Sequence, residues 1–189
     1  MSNKSEMLRQ SPRLSYVFRL KMLVAGLILL MALPLGAFGA AGQSIGPVSG
    51  LPLPRFVSLK SDRVNMHEGP TRNHPIHWIY QRAGLPVEIT AEFETWNKIR
   101  DSEGAEGWVL HSLLSGRRTA MVVQGKSTGN LMLFASPNTK SAVVAALQPG
   151  VIGTLKTCDG TWCHIFGDDF DGYMQQSNLW GVYPNEPVP

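Results

Sequence analysis

The sequence of 189 residues has only two cysteines, 16% charged residues, and no long segment whose apolar residues recur at helical spacing. Instead, short runs rich in Val, Ile, Trp and Leu alternate with clusters of Gly, Pro, Asn and Asp, which is an all-β pattern. Neither cysteine stands directly after the one long apolar run, so a lipid-modified cysteine anchor has no support. Ser, His and Asp occur in no activating motif, and a hydrolase would need a nucleophile, base and orienting group converging in a pocket. The chain therefore reads as non-catalytic, and it implies no cofactor. A basic stripe is also missing. Five of the seventeen Lys and Arg, but only Glu6 of the fourteen acids, lie before Gly42, and the remainder carries about −1. The net charge of +3 is thus no argument for nucleic-acid binding.

What is present begins with a leader. Lys4, Arg9, Arg13, Arg19 and Lys21 precede an uncharged run from Met22 to Leu33, then Pro34 and the small residues Gly36, Ala37, Gly39, Ala40 and Ala41. Residues 1–41 have the layout of a secretory signal peptide, cut after Gly39 or Ala41. The uncharged stretch Met22 to Ala41 is also long enough to stay as an anchor across a bilayer core of ~30 Å. Either way the basic flank keeps the N-terminus inside and places the rest outside the cytoplasm, in the periplasm or cell envelope. Residues 42–54, rich in Gly, Pro and Ser, read as a linker. The hydrophobic content of 43% suffices for a packed core.

Laid against itself, the chain repeats. Trp96-Asn97-Lys98-Ile99 matches Trp162-Cys163-His164-Ile165 at an offset of 66, as Gly84-Leu85 matches Gly150-Val151. Val64 to Pro70 (VNMHEGP) matches Leu131 to Pro137 (LMLFASP) at 67, and Gly107-Trp108-Val109 matches Gly172-Tyr173-Met174 at 65. These landmarks define two modules, 55–118 and 119–183, followed by a tail at 184–189. At such a size each is expected to be a compact β-barrel that closes its sheet. Five strands are expected in the first, near Ser58–Met66, Leu85–Phe93, Trp96–Arg100, Gly107–Leu110 and Leu113, with a long loop from Glu68 to Arg82.

The series Val-Asn-Met-His-Glu-Gly-Pro, a Gly before a strand, Trp-x-x-Ile and Gly-Trp-Val resembles the bacterial SH3-like (SH3b) domains. Two copies after a leader, with a Cys-x₄-Cys in the second, look like the small exported tandem proteins of alphaproteobacteria. The resemblance implies two tandem SH3-like barrels that bind cell-wall peptidoglycan or an envelope protein. A structural protein docking into a periplasmic complex is the alternative. His67 departs from the family pattern, which usually has Arg there, and the second copy has Phe134-Ala135-Ser136-Pro137 in place of the Arg-x-Gly-Pro turn.

Cys158 and Cys163 flank Asp159-Gly160, a tight-turn signal, so they are expected to face each other across a hairpin and form a disulfide in an oxidising compartment. His67, His74, His77 and His111 lack the accompaniment of a metal site and read as surface imidazoles. The turn Asp168 to Gly172 lacks calcium-loop alternation and reads as a solvated tip. Trp96 and Trp162 are expected in their modules' own packing. The candidate ligand-binding residues are His67, Glu68, Trp78 and Tyr80. Trp78 and Tyr80 are an aromatic pair absent from the second copy, and two-residue spacing places them on one face of a strand, which suits a binding surface or, at least equally, core packing or contact between the modules.

Overall fold

The computed structural model describes residues 44–124 and 131–189; the expected leader lies outside them. The described chain is all β apart from two short 3-10 turns, His111–Leu113 and Gln176–Asn178. No helix among the described residues is long and apolar enough to cross a membrane.

A short hairpin, β1 (Ser44–Ile45) and β2 (Pro52–Leu53), precedes a first sheet. That sheet contains β3 (Arg55–Leu59), β4 (Val64–His67), β5 (Ile76–Tyr80), β6 (Pro86–Phe93), β7 (Trp96–Arg100), β8 (Glu106–Leu110) and β9 (Leu114–Ser115). The second contains β10 (Thr119–Val122), β11 (Leu131–Phe134), β12 (Val143–Leu147), β13 (Ile152–Asp159), β14 (Trp162–Phe166), β15 (Asp171–Gln175) and β16 (Leu179–Trp180), with β17 (Pro187–Val188) added to β13. The strand orders are β5-β4-β8-β7-β6-β3-β9 and β12-β11-β15-β14-β13-β10-β16, which is the same topology twice. Even the irregularities repeat. Register shifts fall at Met66/His67 and Leu133/Phe134, and at Ile89/Ala91 and Leu155/Thr157.

Each sheet encloses its own core, because strands such as β4, β8 and β14 alternate buried and open residues. Val57, Val64, Met66, Val87, Ile89, Ile99 and Val109 meet in the first, and Val122, Leu133, Leu155, Ile165 and Met174 in the second. The bulges supply the bend that lets one sheet fold over itself.

Four expectations need correction. The sheets are not closed barrels: each is an open path, and β5 and β12 are left as edges. The strand expected over Ser58–Met66 is two strands, because Ser61 and Arg63 bond to each other in a polar turn. The long loop contains a strand, β5, which pairs with β4. Within the segment read as a linker, residues 44–53 form the β1–β2 hairpin, and Leu53 enters the first core.

That hairpin is held by Glu92, whose carboxylate accepts the N–H groups of Val48 and Ser49, the Ser49 hydroxyl at 2.6 Å and the Arg55 guanidinium at 2.7 Å. Burial alone would push this carboxyl up, but the bonds from Ser49, Arg55 and Val48 outweigh it and hold the value at about 2. A folded value below the ordinary 4.5 means that the stabilisation is complete above pH 4.5 and disappears as pH falls towards 2. Melting temperature measured across that window should therefore fall more steeply for the wild type than for Glu92→Gln, which has no carboxyl to titrate. Parallel curves would contradict this role.

The outer face of β3 and β6 is covered by the second module. Phe56 packs against Trp180 (centroids 5.0 Å) and Tyr183 (4.7 Å). Trp180 Nε1 donates to Pro86 O, Tyr183 Oη to Glu88 Oε1, and Thr119 Oγ1 to Gly84 O. Burial and the Glu88 carboxylate push the Tyr183 hydroxyl well above its ordinary range. Glu88 is buried and is also paired with Arg100. The segment read as a tail takes part, since Glu186 accepts from Arg118 at 2.9 Å.

Candidate functional site

Cys158 and Cys163 lie opposite each other on β13 and β14 and are joined as a disulfide, with Cα atoms 4.1 Å apart. The Asp159 carboxylate accepts the N–H groups of Thr161 and Trp162, which shapes the intervening turn and holds its carboxyl below the usual range. No group of three or more His, Cys, Asp or Glu among the described residues is placed to hold a metal ion.

The first module carries a hollow of about 360 Å³ lined by Arg63, Asn65, His67, Arg72, Trp96 and Leu113, with Leu110 beside them. The loop after β4 sets its rim. Glu68 N–H donates to Pro75 O, His74 N–H to Thr71 O, and Asn73 N–H to Thr71 Oγ1, and this folded turn presents Arg72. His67 is fixed at the last residue of β4. Its Nδ1 donates to the His74 carbonyl at 2.8 Å, because a carbonyl can only accept, and its ring meets Trp96 edge-on at 5.2 Å. The His74 ring lies over Gly69, where a Cβ would come within 2.4 Å of it. A second hollow of about 590 Å³, lined by Asn97, His111 and Ser112 among others, shares Arg72 and Leu110 with the first. Together they form one groove.

The expected site residues fall in different places. His67 lines the hollow; Glu68 is exposed at the start of the loop. Trp78 is 53% exposed on the edge strand β5, whereas Tyr80 is 5% exposed. The two share a face of β5, opposite Met66 and Val64, as their spacing implies, and differ in burial. Tyr80 lies opposite Val64 and its hydroxyl donates to Asp101 at 3.0 Å, so it is a packing residue with its polar end satisfied. Burial and Asp101 push that hydroxyl above its ordinary range. Trp78 stands opposite Met66, beside the bulge at Met66/His67. Arg63, Asn65 and Arg72 were not among the expected residues, and Trp96 was assigned to packing alone.

The second module keeps the scaffold and changes the chemistry. Phe134 meets Trp162 edge-on at 5.7 Å, as His67 meets Trp96. The equivalent loop makes equivalent bonds, Ala135 N–H to Ala142 O and Ser141 N–H to Asn138 O. In this register Met132 replaces Asn65, Phe134 replaces His67 and Thr139 replaces Arg72. A polar set that the same fold does without once is not required for folding. Comparing the copies position by position for chemistry, rather than for similarity, is the signal that marks these residues.

Two copies of one small β-sheet module, the second with its own hollow of about 510 Å³ lined by Thr161, Gln175, Gln176 and Ser177 among others, define a binding architecture. The bacterial SH3 domain matches the chain twice, at residues 60–116 and 127–181, and the chain belongs to that family. Bacterial SH3 domains are binding modules, often directed at the cell wall. Among solved structures the chain is similar to NlpC2 from Trichomonas vaginalis, at 14% identity over 67% of this chain and 48% of that one, with a TM-score of 0.30. NlpC1 from the same organism gives 13%, 74%, 47% and 0.31, and an NlpC/P60 family protein from Bacillus cereus gives 10%, 71%, 58% and 0.30. The chain spans about half the length of these proteins. A search of curated proteins finds no match.

Proposed function

We propose that the protein is an exported, non-catalytic binding module that recognises cell-wall peptidoglycan through the groove of its first copy. The observation that carries this reading is the contrast between copies. Asn65, His67 and Arg72 stand on the same framework that holds Met132, Phe134 and Thr139 in the second. The basic-then-apolar leader supports export, and the disulfide supports an oxidising compartment. Trp78, exposed on β5, pairs with Met66 and so lies on the other face of the strand pair from Asn65, outside the hollow. Of the residues proposed from the sequence, His67 lines the hollow.

The test is co-sedimentation with purified sacculi. The wild type is expected in the pellet. A variant carrying Asn65→Met, His67→Phe and Arg72→Thr should fold, because the second copy folds with these residues, and should lose about ten-fold or more in affinity. Trp78→Ala, on the other face of that strand pair, should remain folded and bind as the wild type does. A folded wild type that stays in the supernatant would sink the wall-directed reading.

A second reading, docking to an envelope protein, has its own support. Ile76, Trp78 and Ile79 on β5 and Val143 and Val144 on β12 are exposed apolar residues on strands with one open edge, which suit protein contact. Specific co-purification of one envelope protein without affinity for sacculi would favour it.

A further inference from the structure

The hollow of the first copy combines two kinds of polar group. On one side are Arg63 and Arg72, both exposed and, among the described residues, neither in an ion pair. On the other side are acceptors. The Asn65 amide oxygen is shut off from solvent and makes no hydrogen bond, a costly state for a buried acceptor unless something else reaches it. His67 donates from Nδ1 to His74 O, which leaves Nε2 as the acceptor of the neutral ring. Trp96, Leu110 and Leu113 provide apolar lining between them.

We propose that this hollow is a receptor for the carboxy-terminal residue of a peptide. The guanidinium forks match a carboxylate, to which arginine binds through paired N–H donors. The acceptors match the amide N–H that precedes the carboxylate, once rotation about the Asn65 terminal torsion presents its oxygen. The apolar lining takes a small side chain. Phosphate fits less well, because a bare anion brings no N–H donor for Asn65 or His67 and no apolar group for Trp96. A volume of about 360 Å³ lies at the low end for small-ligand sites and holds one such terminus. For the source of that terminus the proposal rests on the wall-binding reading, which makes it the free carboxylate of a peptidoglycan stem peptide rather than the glycan. The second copy has Met132, Phe134 and Thr139 at the positions of Asn65, His67 and Arg72.

The experiment titrates the full-length chain with N-acetyl-Ala-Ala as the free acid, with its C-terminal amide and with inorganic phosphate, followed by NMR. The free acid is expected to shift signals of Asn65, His67 and Trp96 and to bind about ten-fold or more tighter than the amide. Arg63→Gln and Arg72→Gln should remove that preference without altering the fold, since both side chains are exposed. Equal affinity for acid and amide, displacement of the acid by equimolar phosphate, or no shift at millimolar free acid would each overturn the proposal. Sacculi before and after amidation of their carboxyl groups separate it from the reading beneath it. Equal binding to both forms rejects the carboxylate receptor and keeps wall binding. Binding of the free acid with neither form of sacculus keeps the receptor and rejects the wall as its source.

Discussion

Replacing Phe56 by alanine is expected to cost about 3–5 kcal/mol, the range for removing a buried phenyl ring. Phe56 is 6% exposed, yet it lies outside its own module's core cluster. Its ring is buried between Trp180 and Tyr183, with the Arg118 guanidinium 5.9 Å from its centroid. Truncation therefore removes the apolar centre of the contact between the modules and weakens the setting of the buried Glu88, which accepts from both Arg100 and Tyr183. Denaturant unfolding should change from one transition into two, with the second module's core melting apart from the first. By contrast, Trp78→Ala, at an exposed edge position, should change stability by no more than about 0.5 kcal/mol. A Phe56→Ala protein that unfolds in one transition with a loss below about 1 kcal/mol would contradict the coupling.

Gly107→Ala should be nearly as damaging, at about 1–3 kcal/mol, for a different reason. A Cβ at Gly107 would lie 2.5 Å from Met66 Cγ and 2.8 Å from the His67 carbonyl oxygen. The side chain can yield, but the carbonyl belongs to the residue that joins β4 to β8, where His67 pairs with Trp108. The strands would have to separate at the position that fixes His67 over Trp96, so groove affinity should fall together with stability. Gly172 repeats the constraint, with a Cβ 2.7 Å from Phe134 O. Gly116→Ala is the control, since its added Cβ meets nothing within 4 Å and its stability should stay within about 0.5 kcal/mol. Equal losses at Gly107 and Gly116 would show that close approach is not the cause.

These two glycines show why much of the fold was legible. The Gly-aromatic pair, the Trp-x-x-Ile strand and the 66-residue offset all reflect strict geometry: a close strand crossing, period-two alternation and a repeated topology. The hairpin disulfide was legible because Asp159-Gly160 fixes the turn between the cysteines. Features that depend on contacts distant in sequence were not. Phe56 and Glu88 point away from their own core, and only the second module explains their burial. The β1–β2 hairpin has the composition of a linker and is ordered by Glu92, more than forty residues away. Strand β5 begins just after Pro75 and is exposed over most of its length, so it lacks the alternation that marks the other strands.

The site was legible in part for the same reason. His67 stood out as a departure from the family pattern at a framework position. Arg63 and Arg72 looked like ordinary loop cations until the folded turn brought them to one hollow. Trp78 and Tyr80 were grouped by spacing, but burial separates them.

The most direct test of the account is an NMR map of the amide signals on adding solubilised peptidoglycan fragments. The account predicts shifts concentrated at Arg63, Asn65, His67, Arg72 and Trp96, with Met132, Phe134 and Trp162 unmoved. Shifts centred on the second copy, or none in either, would contradict the assignment of binding to the first copy's groove.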